Sequence, residues 1–421
     1  MNHDRLRLLI WLQRGDEGYG VASSVLQFSR ALTDANWRVV LVCIGEGELA
    51  SSMREAGFEV EVLGLTQPPY AIRGNILQRA GLVARARWRT HVATQAALAL
   101  PLFNAESVKS VKQSELPDVV QTMNVLQISM AGRCKEAISG VGVWRMAHGI
   151  RGGKVGPLAR WLVRRPLEKY KIVNMGNSEH TTRSLRRQGT LSVSNPHGCD
   201  VSRFSPEGVV AHRRADYGIE ESSIVLAIVA RLQEDGDKGQ DLVAAALARL
   251  VSKGVITERV HLLIVGGPTD TEFSEKVKGH SCSSTGPVIH LAGESAQVER
   301  FYPMVDVAIN ARVTAEPFGL SVVEAMLMGV PVLAHRLGGP SETIIDGKTG
   351  WLVDDSSSDA WYEALVRVFA DRKKWTDFGE SARKRALAEY TLEQELDRWT
   401  KQIDGIALAA DRDIDTRPTT S

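Results

Sequence analysis

Residues 315–353 read AEPFGLSVVEAMLMGVPVLAHRLGGPSETIIDGKTGWLV. The segment passes from a polar loop into an apolar helical pattern and then into two short apolar runs, Val330–Ala334 and Gly350–Val353. Pro317 near the first turn and Gly319 beside it suit a loop entering a helix. Glu316 precedes that turn and Glu324 lies inside the helix, so at ~1.5 Å rise per residue the two carboxylates sit on the order of 10 Å apart. Gly338 and Gly339, at a strand end, let the backbone approach a ligand closely. Helix alternating with buried strand predicts a parallel sheet covered on both faces.

The same alternation extends outward in both directions. Towards the N-terminus of this half, Ile224–Ala230, Val260–Val265, Val288–Ala292 and Val305–Asn310 read as further strands. Six runs in the first half, Leu6–Leu12, Arg38–Ile44, Glu59–Leu65, Asp118–Met123, Val141–Ala147 and Lys171–Met175, repeat the pattern. A stretch of 421 residues exceeds what one core fills comfortably. The reading is therefore an α/β protein of two Rossmann-like doubly wound domains facing across a central cleft. An N-terminal domain spans 1–200 with a helical insertion at 66–116, too long for an ordinary connection. The polar segment 201–222 reads as a linker, 223–390 as the C-terminal domain, and 391–421 as a C-terminal helix with a disordered tail from Ala407.

With 43% hydrophobic and 24% charged residues, the composition is that of an ordinary globular chain. The net charge of +1 hides an asymmetry: residues 1–200 hold 26 Lys and Arg against 16 Asp and Glu, and the remainder 25 against 34. The first half is thus expected to face something anionic. Cys43, Cys134, Cys199 and Cys282 are scattered and form no metal-type pair. No signal-peptide pattern and no apolar run of roughly 20 residues is present, so a cytoplasmic setting is expected. The basic segments 72–91 and 151–171, the latter carrying Trp161 among Leu158, Leu162 and Val163, leave two readings open. They are solvated faces or helices lying at an anionic membrane surface, as in a peripheral protein on the inner face of the cytoplasmic membrane. A nucleic-acid partner is not expected, since no nucleic-acid module occurs.

The spacing of Glu316 and Glu324 is too wide for the acid/nucleophile pair of a retaining hydrolase, about 5–5.5 Å. It suits two hydroxyl-rich ends of one extended ligand, such as a sugar and a ribose. The helix start between them offers unpaired N–H groups and a positive dipole end, which suit a diphosphate. Taken alone, the bland alternative is a helix-entry carboxylate and a solvated surface glutamate.

The Glu-x7-Glu of EPFGLSVVEAMLMGVPV resembles the signature of glycosyltransferase family 4, retaining GT-B enzymes that use nucleotide-sugar donors. GDEGYG (15–20), PHGCDVSRFSP (196–206), ARLQEDGDKGQDL (230–242) and GGPSETIIDGKTGWLV (338–353) extend the resemblance over most of the chain. The resemblance implies that Glu324 binds the donor ribose and Glu316 the hydroxyls of the transferred sugar. Arg231 and Lys238 match the basic pair that holds the diphosphate, and two cations can stabilise a departing phosphate without a metal. No metal or other cofactor is therefore expected. Backbone N–H groups around Phe318, Gly319 and Leu320 would complete the phosphate cradle, Gly18 and Gly20 would do similar work near the acceptor, and His148 would stand beside the donor sugar. Three departures from the pattern stand out. Lys238 follows Arg231 by seven positions rather than about five, His197 replaces the usual asparagine, and Tyr19 splits the glycine pair. His197 and Asp200 are expected to be structural, the aspartate bracing its turn.

The resulting expectation is transfer of a sugar from a UDP- or GDP-sugar to an acceptor hydroxyl on a glycan or lipid, in surface polysaccharide, lipopolysaccharide or glycolipid assembly. The acceptor would attack the face that the diphosphate leaves, and the leaving phosphate would take its proton. A non-catalytic nucleotide-sugar-binding subunit and a GT-B epimerase are the alternatives.

Overall fold

The computed structural model describes residues 7–13, 19–65, 91–100, 118–123, 127–138, 140–146, 164–187, 190–281 and 286–415. They fold as two compact units, one made of 1–195 with 395–421 and the other of 196–394.

The first unit holds a seven-stranded sheet. Its strands are β1 (Arg7–Gln13), β2 (Trp37–Cys43), β3 (Glu59–Val62), β4 (Val119–Thr122), β5 (Val141–Met146), β6 (Val173–Gly176) and β7 (Ser192–Ser194), in the order β3-β2-β1-β4-β5-β6-β7. Every pairing is parallel. The apolar runs are continuous because both faces are covered. Leu9, Trp11, Val39 and Leu41 point to the helix Tyr19–Asp34, while Leu8, Ile10, Val40 and Val42 point to the other side.

The last helix, Leu392–Asp415, completes the first unit. Trp399 is fully buried, with its ring edge-on to Phe28 at 5.5 Å and to Trp37 at 5.2 Å between centroids. Its indole Nε1 donates to Gln121 Oε1 at 3.0 Å. Glu395 forms a buried ion pair with Arg145, whose guanidinium lies 4.1 Å over the Phe28 ring. The helix runs past Ala407, where patterning alone placed a tail, because Ile403, Ile406 and Ala407 continue the apolar face that packs on the sheet.

The second unit repeats the architecture with six strands: β8 (Ile224–Val229), β9 (Val260–Val265), β10 (Val288–Gly293), β11 (Val307–Asn310), β12 (Val332–His335) and β13 (Gly350–Val353). Their order is β10-β9-β8-β11-β12-β13, again all parallel. Both sheets thus have the doubly wound, Rossmann-like order in which the chain reverses its direction of travel once. Residues 201–222, read above as a linker, lie within this unit. Phe204 and Ile219 are buried in its core, and their apolar side chains tie the polar segment down. Among the described residues no helix is long and apolar enough to cross a membrane. Cys43, Cys134 and Cys199 are buried, and Cys282 lies outside the described residues.

Candidate functional site

In the second unit the direction of travel reverses between β8 and β11, neighbours in the sheet with Val307 opposite Leu226. The helix after β8, Gln240–Ser252, packs on the face of Leu226 and Ile228. The helix after β11, Leu320–Leu327, packs on the opposite face with Val225 and Ala227. Two connections leaving to opposite faces open a crevice at the carboxyl ends of their strands, where open α/β sheets bind ligands. The loops 230–239 and 311–319 line that crevice.

Glycines let these loops meet. Gly239 has φ +70°, and a Cβ there would come within 2.1 Å of the Ala311 carbonyl oxygen. Val313 N–H donates to the Asp237 carbonyl at 2.8 Å, closing the contact. On the other side, Gly338 has φ +101° and a Cβ there would lie 2.0 Å from the Glu316 carbonyl oxygen. Glu316 N–H donates to Leu337 O at 3.0 Å, and Gly339 N–H to Glu316 O at 2.7 Å. The backbone of Glu316 is therefore fixed from both sides.

Charges gather on this frame. Lys238 Nζ lies 3.6 Å from Glu316 Oε2, and Arg312 Nη1 donates to Glu316 Oε1 at 3.2 Å. Arg312 Nε donates to Asp237 Oδ2 at 2.9 Å and to Thr314 Oγ1 at 3.2 Å. Asp237 Oδ1 accepts from Thr314 Oγ1 at 2.5 Å and from its N–H at 3.3 Å. Burial pushes the Asp237 carboxyl up, but the hydrogen bonds from Thr314 and the Arg312 guanidinium outweigh it and hold the group below its ordinary value.

Beside this network the helix Leu320–Leu327 begins at Gly319, in left-handed backbone at φ +91°. Among the described residues, the N–H groups of Phe318, Gly319, Leu320 and Ser321 find no acceptor. The Phe318 ring is buried, edge-on to His197 at 5.7 Å and to Tyr390 at 6.0 Å, which fixes the turn. One turn further along, Glu324 Oε2 accepts from the Tyr302 hydroxyl at 3.3 Å. Burial pushes the Glu324 carboxyl up to about 7, opposed by nearby Arg203 and the Tyr302 hydrogen bond. Arg203 is itself held by Glu299 at 2.7 Å and by the Ala296 carbonyl at 2.6 Å.

The structure therefore brings together Glu316, Lys238, Phe318, Gly319 and Leu320, and sets Glu324 in a second group with Tyr302 and Arg203. Arg231 opens the loop after β8, its carbonyl accepting from Gln240 Nε2 at 2.9 Å. Its guanidinium is exposed and joins neither group among the described residues. Gly20 lies in the helix Tyr19–Asp34 of the first unit. Gly18 and His148 lie outside the described residues, as do most of 72–91 and of 151–171. His197 is buried, and Asp200 braces its turn, accepting from Ser202 N at 2.8 Å and Ser202 Oγ at 2.6 Å. Among the described residues no cluster of three or more His, Cys, Asp or Glu side chains could hold a metal ion.

Sequence reasoning missed Arg312, Asp237, Tyr302 and Arg203. One signal was available: Asp237 beside Lys238 calls for a second cation, and Arg312 is the nearest one preceding Glu316. Chemically, the crevice offers an anion site at open N–H groups and two carboxylates able to accept hydroxyl hydrogens.

Residues 210–385 match the family model described as glycosyl transferases group 1. A D-inositol 3-phosphate glycosyltransferase of Mycolicibacterium gilvum is 33% identical over 212 residues, covering 46% of this chain and 43% of the relative. A GDP-mannose-dependent alpha-(1-6)-phosphatidylinositol monomannoside mannosyltransferase of Mycolicibacterium smegmatis is 28% identical over 281 residues, covering 64% and 70%. The matched segment thus spans less than half the length of the first relative. Among solved structures, Anabaena Alr3699/HepE in complex with UDP-glucose superposes with a TM-score of 0.68 at 16% identity, covering 96% of this chain and 99% of that one. Sucrose-phosphate synthase from Thermosynechococcus elongatus gives 0.68 at 19% identity, covering 96% and 100%. Over residues 210–385 the chain is thus similar to the glycosyl transferases group 1, and the whole chain has the GT-B fold.

Proposed function

We propose that the chain is a retaining, metal-independent glycosyltransferase that moves a sugar from a UDP- or GDP-sugar to an acceptor hydroxyl. The observation that carries this reading is the contact of Lys238 with Glu316 beside the open N-terminus of the helix Leu320–Leu327. An anion seated on those N–H groups lies within reach of an ammonium, and the adjoining carboxylate is placed for hydroxyls of the group attached to that anion.

In this reading the diphosphate lies on the N–H groups of Phe318, Gly319 and Leu320, with Arg231 and Lys238 as its cations. Glu316 accepts hydrogen bonds from the transferred sugar and Glu324 from the ribose. Gly18 and Gly20 are assigned to the acceptor and His148 to the donor sugar. The bond from the sugar to the phosphate breaks, positive charge develops on the sugar carbon, and negative charge grows on the departing phosphate. Fixed cations and N–H dipoles stabilise that growing charge more than the ground state, which is the source of acceleration. The acceptor hydroxyl enters on the face just vacated, and the leaving phosphate takes its proton. No enzyme nucleophile is required, in keeping with the fit of both glutamates to hydroxyl recognition.

The names of the relatives point the acceptor towards an inositol, glycan or lipid-linked hydroxyl. This supports a role in glycolipid or surface polysaccharide assembly on the inner face of the cytoplasmic membrane. The test is release of nucleotide from a panel of UDP-, GDP- and ADP-sugars, with and without extracted glycolipid and with and without EDTA. Acceptor-dependent release, lost about 100-fold in Glu316→Gln and unaffected by EDTA, is the expected result. Binding without turnover would favour a non-catalytic subunit, conversion of the sugar without transfer an epimerase, and strict dependence on added Mg²⁺ or Mn²⁺ would sink the cationic-pair mechanism.

A further inference from the structure

We propose that Arg312 is a positioning residue for Glu316: it keeps one oxygen of that carboxylate under permanent hold, so that Lys238 can leave the other for the diphosphate of a bound donor. The proposal rests on the reading above, in which Glu316 faces the transferred sugar and Lys238 the leaving phosphate. Four charged groups alternate around the two loops. Asp237 holds Arg312 at 2.9 Å, Arg312 holds Glu316 at 3.2 Å, and Lys238, next to Asp237 in the chain, reaches Glu316 at 3.6 Å. The contact to Lys238 is the longest of the three. It is also made by the most mobile kind of cation, a compact charge on a four-carbon stem.

Arg312 is held far more tightly. Its Nε donates to both Asp237 and Thr314, its Nη1 reaches Glu316, and its carbonyl oxygen faces His335 Nδ1 at 2.9 Å. Asp237 is itself fixed by the Thr314 side chain and N–H, so the anchor does not yield when the ligand arrives. The guanidinium is 17% exposed and Glu316 13%, a setting dry enough for the contact to count. Once Lys238 turns to the diphosphate, Glu316 would have no cation left without Arg312. The carboxylate would then follow the lysine and leave the sugar hydroxyls. Arg312 also ties the loop carrying Lys238 to the loop carrying Glu316, and so fixes the spacing of the two groups that grip the donor.

The experiment measures kcat and donor KM for the full chain and for Glu316→Gln, Arg312→Gln and Arg312→Lys, with UDP and GDP affinities by calorimetry. Arg312→Gln is expected to lower kcat about 100-fold, the scale of a misplaced catalytic geometry, with KM and nucleotide affinity changed less than about threefold. Arg312→Lys should recover about a tenth of the lost rate, again with little change in KM. Wild-type kcat in Arg312→Gln, with Glu316→Gln inactive, overturns the positioning role alone. A fully active Glu316→Gln overturns the functional reading instead. Should Arg312→Gln fail to fold by circular dichroism, Asp237→Asn takes its place. It keeps the guanidinium and cuts its tether, and is expected to lose about tenfold in kcat with KM changed less than about threefold; an unchanged kcat there also overturns the proposal.

Discussion

Burial in the helix Leu320–Leu327 pushes the Glu324 carboxyl up to about 7, while Arg203 and the Tyr302 hydroxyl pull the other way. The folded chain therefore holds this proton more tightly than the unfolded chain, whose carboxyl titrates near 4.5. The resulting contribution to stability is complete below about pH 4.5 and is lost as pH rises through about 7. Glu324→Gln should match the wild type at pH 4.5 and exceed it at pH 8 by up to about 3 kcal/mol in urea titrations. Parallel stability curves for the two proteins would contradict this. The same titration predicts that nucleotide affinity strengthens between pH 6 and 8, as the ionised carboxylate becomes the better acceptor for ribose hydroxyls, and that Glu324→Gln abolishes the trend. Glu316 and Glu324 could be singled out in the sequence because both belong to one local segment, the loop entering the helix Leu320–Leu327 and the helix itself. Tyr302 and Arg203 could not be, because they reach Glu324 from other elements and no local pattern records a tertiary contact.

Local punctuation decides how the elements meet. Gly338 combines φ +101° with a backbone oxygen 2.0 Å from where a Cβ would stand, so both strain and collision oppose any side chain there. Gly338→Ala should cost about 2–4 kcal/mol and displace Glu316, lowering kcat in the protein that still folds. Thermal melts and turnover check this, and a variant with wild-type melting and rate would refute it. The strands were legible for a related reason: continuous apolar runs such as IVLAIV and VHLLIV are what a sheet covered on both faces demands. Strand β7, Ser-Val-Ser, escaped detection because three residues with one apolar side chain give no period. The segment 201–222 misled for the opposite reason: its polar surface residues outnumber Phe204 and Ile219, the two that anchor it.

At the scale of the molecule, each unit carries its own core, and the first unit is built from both ends of the chain. Composition and alternation were enough to give two doubly wound sheets, but not the return of the last helix to the first, since that depends on Trp399 finding Phe28, Trp37 and Gln121. Trp399→Ala should cost the first unit about 3–5 kcal/mol and leave the second unchanged, seen as a shift of one of two unfolding transitions. Equal shifts of both would contradict the assignment. The crevice between β8 and β11 is proposed to grip an intact nucleotide sugar. The most direct test is a crystal structure of the full chain with an unhydrolysed donor. The expected result is phosphate oxygens at about 2.7–3.2 Å from the N–H groups of Phe318, Gly319 and Leu320, with Lys238 turned from Glu316 to the diphosphate, Arg231 beside it, Glu316 on the sugar and Glu324 on the ribose. Donor density anywhere else, or a Lys238–Glu316 contact unchanged with both side chains clear of the ligand, would contradict it.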